Sequence, residues 1–358
     1  MKILHIINSL HTGGAEKLIS ETLPLFQKEG LDVSLALLNG SCTPFYEELK
    51  NNSSIRIYNL GMGTVYNPTV ILKIIPLLKK IDVIHVHLFP SLYFVALASW
   101  ISKSKSSLVF TEHSTDNKRL QNKFLSTVDR AIYSRYNKII CITPQVKSVL
   151  KHKLSIRDKK LEVIENGINI KKIQGAQKAD RYVFNYCDSD KILIMVAGFR
   201  EQKDHETVIR AIKLLPAEYK LLLVGDGVRR TTIEEYISSL QLNDRVKLLG
   251  VRTDVYSLIK MSDFSVLSSH WEGFGLAAAE AMACGVPTIA SNVDGLSSVV
   301  ENGGILFEKG NIDDLKNKIL MLENDEVYKH YSKLGIEKAK QYDIKLMINK
   351  LQDLYKVL

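Results

Sequence analysis

Cysteine is scarce and scattered: Cys42, Cys141, Cys187 and Cys284 are the only four in 358 residues. Their spacing fits neither a metal-ligand nor a redox motif, so free thiols in a reducing compartment are expected. Long apolar runs are also missing. Residues 192–196 and 221–224 are strand-sized, and residues 89–101, though apolar, are too few to span a bilayer. The first residues run straight into a strand pattern with no signal peptide, so the cytoplasm is the expected location. No internal repeat or low-complexity segment is visible. G-x-G-x-x-G is absent after the first strand, which removes the best support for a nicotinamide cofactor. Asp188-Ser189-Asp190 lies in the polar lead-in to a strand, and no other carboxylates assemble for magnesium.

What is present is an ordinary globular composition, 24% charged and 46% hydrophobic, long enough for two domains. The formal charge of +9 is uneven. Residues 1–170 hold 22 lysines and arginines against 13 acids, whereas residues 171–358 hold 26 of each. Residues 103–160 alone carry 14 basic and 4 acidic side chains. Part of the first domain is therefore expected to be electropositive, suiting an anionic membrane surface or a lipid-linked phosphate. No recognition motif or stacking array accompanies the charge, so nucleic acid is not expected.

Short apolar strands alternate with amphipathic helices through both halves, the pattern of doubly wound α/β domains. The first half predicts strands at residues 2–8, 33–38, 55–60, 83–87, 108–112 and 138–143, with a helix over 15–29 ended by Gly30. The second half predicts strands at 191–197, 220–224, 246–249, 264–267 and 287–291. Residues 161–169 and 171–181 read as the crossing, and the tail after Tyr342 as helical. The expected fold is two Rossmann-like domains facing each other across a cleft, with ligands at the strand C-terminal edges.

The most informative stretch runs from Ser268 to Pro287, SSHWEGFGLAAAEAMACGVP. A strand leads into a turn containing Gly273 and Gly275, which opens an alanine-rich helix stopped by Gly285 and Pro287. Glu272 in the turn and Glu280 one turn into the helix thus share one strand-to-helix junction. Unpaired amides and the helix dipole favour phosphate there. Carboxylates beside such a site would repel phosphate unless they accept hydroxyl protons. Phosphate on amides with hydroxyls on acids describes a nucleotide-sugar.

Other segments bear on the same ligand. Gly13-Gly14 follows the first strand and opens the first helix; it allows close backbone approach, and equally fits a simple tight turn. Arg200 and Lys203, after the first strand of the second half, are placed to neutralise a diphosphate. His113 ends a strand, where it could hydrogen-bond a sugar hydroxyl or be structural. His85 and His87 share a strand face, and two histidines without a third ligand are a poor zinc case.

At this point the chain resembles the retaining glycosyltransferases of family 4, which have the GT-B fold. The resemblance covers nearly the whole chain and rests on QKDH (202–205), LLLVGDG (221–227), VKLLGVRTDV (246–255), the E-x7-E segment of 268–291, and Asp294-Gly295. It implies an acceptor-binding domain over 1–170, a nucleotide-sugar-binding domain over 171–342, and a helix over 343–358 that packs back on the first domain. By position, Glu280 would accept from ribose hydroxyls and Glu272 would hold the donor sugar. Gly273 and the amides of Phe274, Gly275 and Leu276 would lie near sugar and phosphate. Lys203 would bind the diphosphate, Gly14 would complete the phosphate site with Gly13 beside it, His113 would stand near the transferred sugar, and the Val251 backbone would edge the base.

One position departs from the family. The arginine usual five residues before the lysine is Gly198 here, and Arg200 is the candidate substitute. The resemblance implies retention of anomeric configuration, a UDP-sugar donor, and a glycan or lipid-linked acceptor in surface polysaccharide or glycolipid synthesis. Neither metal nor cofactor is expected, because lysine, arginine and dipoles stabilise the leaving group. A UDP-sugar 2-epimerase of related fold and a non-catalytic nucleotide-sugar-binding protein remain the alternatives.

Overall fold

The computed structural model describes residues 1–114 and 123–358. They form two compact units: Met1–Asn166 together with Ile344–Leu358, and Gly167–Asp343. The first unit is built on a seven-stranded sheet of β1 (Lys2–Ile7), β2 (Asp32–Leu37), β3 (Arg56–Asn59), β4 (Val83–His87), β5 (Ser107–Glu112), β6 (Lys138–Cys141) and β7 (Leu161–Val163). The second has a six-stranded sheet of β8 (Lys191–Val196), β9 (Tyr219–Val224), β10 (Val246–Gly250), β11 (Phe264–Leu267), β12 (Thr288–Ser291) and β13 (Ile305–Phe307). The strand orders are β3-β2-β1-β4-β5-β6-β7 and β10-β9-β8-β11-β12-β13, and the pairings are parallel.

Parallel strands need helical crossovers, and helices on both faces bury the strands on both sides. This explains near-continuous apolar runs such as ILIMV in β8, whose Ile192 to Met195 are buried. In both sheets the winding direction reverses once, between β1 and β4 and between β8 and β11. Loops leave the sheet on opposite sides at such a point, opening a crevice at the strand C-termini where ligands settle. The segments that follow β8 and β11 carry Arg200, Lys203, Glu272 and Gly275. Those that follow β1 and β5 carry Gly13, Gly14 and His113.

Several boundaries differ from the sequence expectation. Residues 161–163 are not part of a crossing but form the edge strand β7, pairing Leu161, Glu162 and Val163 with Ile139, Ile140 and Cys141. Three residues before an Asn-Gly turn are too few to show a strand period. The polar stretch after it contains the helix Ile170–Gly175, capped by the Asn169 side chain on the Lys172 amide. β13 was likewise not expected. The units divide at Asn166/Gly167 and Asp343/Ile344 rather than at 170/171 and 342/343. The cause is local: the Ile168 amide donates to the Tyr342 carbonyl at 2.7 Å, holding the entering and leaving segments side by side.

The final helix, Ile344–Lys356, belongs to the core of the first unit. Its Ile348, Leu351 and Tyr355 are buried with Leu23 and Phe26 of the helix Gly14–Lys28 and with Ile3 of β1. A chain cut before Ile344 would leave that face of the sheet uncovered. Ile348→Ala, at a fully buried position, should cost about 2–5 kcal/mol. Hydrogen exchange would then quicken in β1 and β4 while β8 and β9 stay protected; equal loss in both sheets would contradict the division into units.

Candidate functional site

In the second unit, β11 delivers the chain into the turn Ser268–Gly275, and the helix Leu276–Ala283 starts from Gly275. Gly275 takes a left-handed φ of 94°, and a Cβ there would lie 2.4 Å from Leu296 Cδ1. Gly295 has φ 82°, and its Cβ would meet the Glu272 carbonyl oxygen at 2.3 Å. Side chains at these two positions would push the turn apart. Gly275, at the N-cap, offers no side chain to cap the start of the helix.

Glu272 and Glu280 are both buried. Glu272 Oε1 accepts from Lys203 Nζ and, at 2.8 Å, from the Ser269 hydroxyl. Glu280 Oε1 accepts from the Tyr256 hydroxyl at 3.2 Å. The two loops of the crevice are stitched together around the ion pair. Gln202 Nε2 donates to the Trp271 carbonyl at 2.7 Å, and the His270 amide donates to the Gln202 carbonyl at 2.8 Å. The Ser268 hydroxyl reaches the Asp204 carbonyl at 2.8 Å. Desolvated charges of this kind persist only when paired, and removing one partner typically costs 3–5 kcal/mol.

The other expected residues of the second unit are placed as follows. Phe274 is buried and edge-on to Tyr342, with ring centroids 5.2 Å apart. Gly273 and Leu276 complete the turn and the first helical position. Val251 follows β10 and is exposed at 36%. Gly198 has room: a Cβ would meet only the Asp226 carbonyl at 3.6 Å and Arg200 Nε at 3.9 Å. The Arg200 guanidinium thus folds back over the residue where the family arginine would stand. The Asp188-Ser189-Asp190 triplet is engaged otherwise, Asp188 by the Tyr182 hydroxyl and Asp190 by the Cys187 amide.

In the first unit, Gly13 precedes the first helix without a side-chain cap and Gly14 is its first residue. The Glu16 carboxylate lies against Gly13, with an oxygen 2.2 Å from where a Cβ would be. An anion approaching Gly14 would have to displace that flexible acid. His113, half-buried, is tied into a histidine network. Its Nε2 lies 3.4 Å from His87 Nδ1, and His87 Nε2 lies 3.2 Å from His5 Nδ1. His85 is held by the Tyr355 hydroxyl at 2.5 Å and the Thr111 hydroxyl at 2.6 Å.

The pair His85 and His87 therefore has a third imidazole, His5, with one ring nitrogen from each within 4.8 Å of the others. His5 could not be assigned to this cluster from sequence, because β1 and β4 pair only after a crossover, where His5 lies beside His85. Three imidazoles are the number a zinc site needs. Here, however, among the described residues every ring nitrogen of His5, His85 and His87 except His5 Nε2 has a partner, so the cluster closes as a hydrogen-bond network. Sequence also missed Tyr256 and Ser269. Ser269 lies inside the motif, three residues from Glu272, but Tyr256 comes from a separate helix, Val255–Met261, with no local signal.

Comparison with known proteins follows the two units. Residues 12–172 match the family described as "Glycosyltransferase Family 4", and residues 177–341 that described as "Glycosyl transferases group 1". The N-acetyl-alpha-D-glucosaminyl L-malate synthase of Bacillus anthracis is 32% identical over 69% of this chain and 67% of its own. The UDP-Gal:alpha-D-GlcNAc-diphosphoundecaprenol alpha-1,3-galactosyltransferase of Escherichia coli is 26% identical over 99% of this chain and 96% of its own. Among solved structures, Anabaena HepE in complex with UDP and glucose superposes with a TM-score of 0.88 at 22% identity, covering both chains completely. That likeness extends to the fold, the GT-B arrangement of two parallel-sheet α/β domains.

Burial holds the His5 imidazole near a pKa of about 3 and His113 near about 4, both below the ordinary 6.5, and pushes His85 and His87 down as well. Between pH 6.5 and about 4 the unfolded chain therefore binds more protons than the folded one. Stability of the first unit should be flat above pH 6.5 and fall as pH drops through that window. Ring NMR signals of these histidines should show no titration between neutrality and the onset of unfolding. A histidine of the cluster that charges near pH 6.5 in the folded protein would refute this.

Proposed function

The chain belongs to the group 1, or family 4, glycosyltransferases, and we propose that it transfers a sugar from a UDP-sugar to a lipid-linked or glycan acceptor with retention of anomeric configuration. The observation that carries this reading is the buried pair of acids at one strand-to-helix junction, with Glu272 held by Lys203 and Glu280 by Tyr256. The UDP in the Anabaena structures and the lipid-diphosphate acceptor in the name of the Escherichia coli relative support donor and acceptor class. Synthesis of a surface polysaccharide or glycolipid, at the cytoplasmic face of the membrane, suits such substrates.

In this reading the Glu280 carboxylate accepts from the ribose hydroxyls, and Tyr256 aims it. The diphosphate lies on the uncapped amides at Gly275 and Leu276, within reach of Lys203 and Arg200. The ion pair then exchanges partners. Lys203 turns from Glu272 to a β-phosphate oxygen, and Glu272 turns to the hydroxyls of the sugar. Each buried charge trades one partner for another, so neither is stranded.

The bond between the anomeric carbon and the β-phosphate oxygen breaks first, and cations and dipoles stabilise the negative charge on the leaving group. The acceptor hydroxyl attacks from the face just vacated, and its proton passes to an oxygen of the departing diphosphate. Positioning and electrostatics supply the rate, with His113 bonded to a hydroxyl of the transferred sugar. A divalent cation has no role in this scheme, so a chelator should leave turnover unchanged.

Glu280→Ala should weaken UDP-sugar binding by roughly two orders of magnitude, the loss of charge-assisted bonds worth about 1.5–3 kcal/mol. Its melting temperature should stay near that of the parent. Unchanged donor affinity, measured by calorimetry, would remove the assignment. Arg200→Ala should lower kcat with less effect on KM, since the guanidinium acts on charge that develops in the transition state. An equal rise in KM with kcat intact would instead make Arg200 a ground-state contact. NMR of the product decides stereochemistry, and a β-linked product from an α-linked donor would overturn retention.

A further inference from the structure

An outer helix of a doubly wound sheet normally turns charged residues to solvent. The helix Ser91–Ser102 does not. Its inward residues, among them Leu92, Val95 and Ala96, are buried as expected. The outward positions are largely apolar as well: Phe94 and Leu97 are half-buried, Trp100 is 45% exposed and Ile101 64%, while half-buried Tyr93 turns its hydroxyl onto the buried Asp129. Positions 93, 97, 100 and 101 are spaced to share one face. Between Asp82 and Lys103 the sequence holds no Asp, Glu, Lys or Arg.

The helix Val70–Leu77 packs alongside and repeats the feature. Leu72 is 70% exposed, and residues 57–72 carry no charge. Lys73, the one cation of this helix, turns its ammonium back onto the Leu60 carbonyl at 2.6 Å. Exposed Tyr66 and Phe89 continue the apolar surface toward the C-terminal edge of the sheet. The Phe89 ring lies 6.1 Å from Tyr66 and 5.3 Å, edge-on, from Tyr93. At the opposite end, where both helices stop, Lys79, Lys80, Lys103 and Lys105 line a cavity of about 750 Å³. Asp82 is the only acidic side chain among its described lining residues, and that carboxylate already accepts from the Lys2 amide at 2.7 Å.

We propose that the paired outer faces of the helices Val70–Leu77 and Ser91–Ser102 dock on an anionic lipid bilayer, with the aromatic and aliphatic stripe in the headgroup boundary and the four lysines on lipid phosphates. Aromatic rings and long lysine stems suit that boundary, where one end is apolar and the other wet. Contiguous apolar surface of this kind marks an interaction face rather than a solvated one. The lysines select the occupant: a second copy of the chain would present the same four lysines with Asp82 as the one acidic side chain of the cavity lining, whereas an anionic leaflet answers every ammonium. The surface also reaches the sheet edge that carries Gly14 and His113, so docking brings that edge beside the headgroups. Here the inference rests on the proposed transferase reading, for it is a lipid-linked acceptor that would be met there.

The test is flotation of the full chain with vesicles of phosphatidylglycerol and phosphatidylcholine, against vesicles of phosphatidylcholine alone. The parent should float with the anionic vesicles and be released by salt. Lys103→Gln with Lys105→Gln should weaken binding roughly tenfold or more, at about 1 kcal/mol per lysine near the surface. Trp100→Glu with Ile101→Glu should abolish it. Both double variants should keep the parent melting temperature and its UDP-sugar affinity.

A parent that stays with the unbound protein, or glutamate variants that float as well as the parent, would overturn the proposal. So would a concentration-dependent dimer that Trp100→Glu dissociates, which would make the face an interface between copies. Vesicle binding without any sugar transfer would instead sink the functional reading and leave the docking surface standing.

Discussion

The buried ion pair between Lys203 and Glu272 is the constraint on which the second unit turns. The Glu272 carboxylate is buried and the Lys203 side chain largely so, and holding them together requires that the loops that carry them be brought together and kept there. The means are visible in the backbone. Gln202 reaches the Trp271 carbonyl, Ser268 reaches the Asp204 carbonyl, and Ser291 donates to the Ser269 carbonyl at 2.6 Å. Gly295 closes from the far side against the Glu272 carbonyl, an approach that any Cβ would block. The site is thus assembled before any ligand arrives. In the proposed reading a ligand brings an anion for the lysine and hydroxyl donors for the glutamate together.

Much of this was legible in sequence because it is local. The strand Phe264–Leu267, the Gly-containing turn and the alanine-rich helix lie consecutively, and each announces itself by propensity or by a stop signal. The parallel α/β architecture was legible for a similar reason, since strands buried on both faces read as continuous apolar runs. Three features were not. β7 and β13 are three residues each, shorter than any period can resolve. Tyr256 reaches Glu280 only through tertiary packing, so nothing near Tyr256 in the chain marks it. His5 joins His85 and His87 across a pairing of strands separated by some eighty residues of crossover. The basic stretch 103–160 stands between these cases: composition shows its charge, but residues 115–122 within it lie outside those described.

The two units use one winding pattern for opposite electrostatics. In the second, charge gathers where the winding reverses. In the first, the strands at the reversal, β1 and β4, carry imidazoles that burial keeps neutral, and the loop after β1 offers glycine. A network of neutral rings can orient a polar group without repelling or neutralising anything. His113, bonded through His87 to His5, is held in place by groups that themselves bear no charge at neutral pH.

The orphaned His5 Nε2 then gives the network a direction. Each neutral ring carries one proton, and a buried N–H without an acceptor is a rarer and costlier outcome than a lone pair without a donor. Phe26, tilted at 35° with its centroid 5.9 Å away, does not offer an edge-to-face ring as a substitute acceptor. His5 is therefore better served with its proton on Nδ1, given to His87 Nε2. His87 must then hold its own proton on Nδ1, facing His113 Nε2. His113 is left with its proton on Nδ1, the nitrogen outside the chain of contacts, as a hydrogen-bond donor. A buried atom in the first strand in this way sets what the half-buried histidine at the sheet edge can present to a ligand.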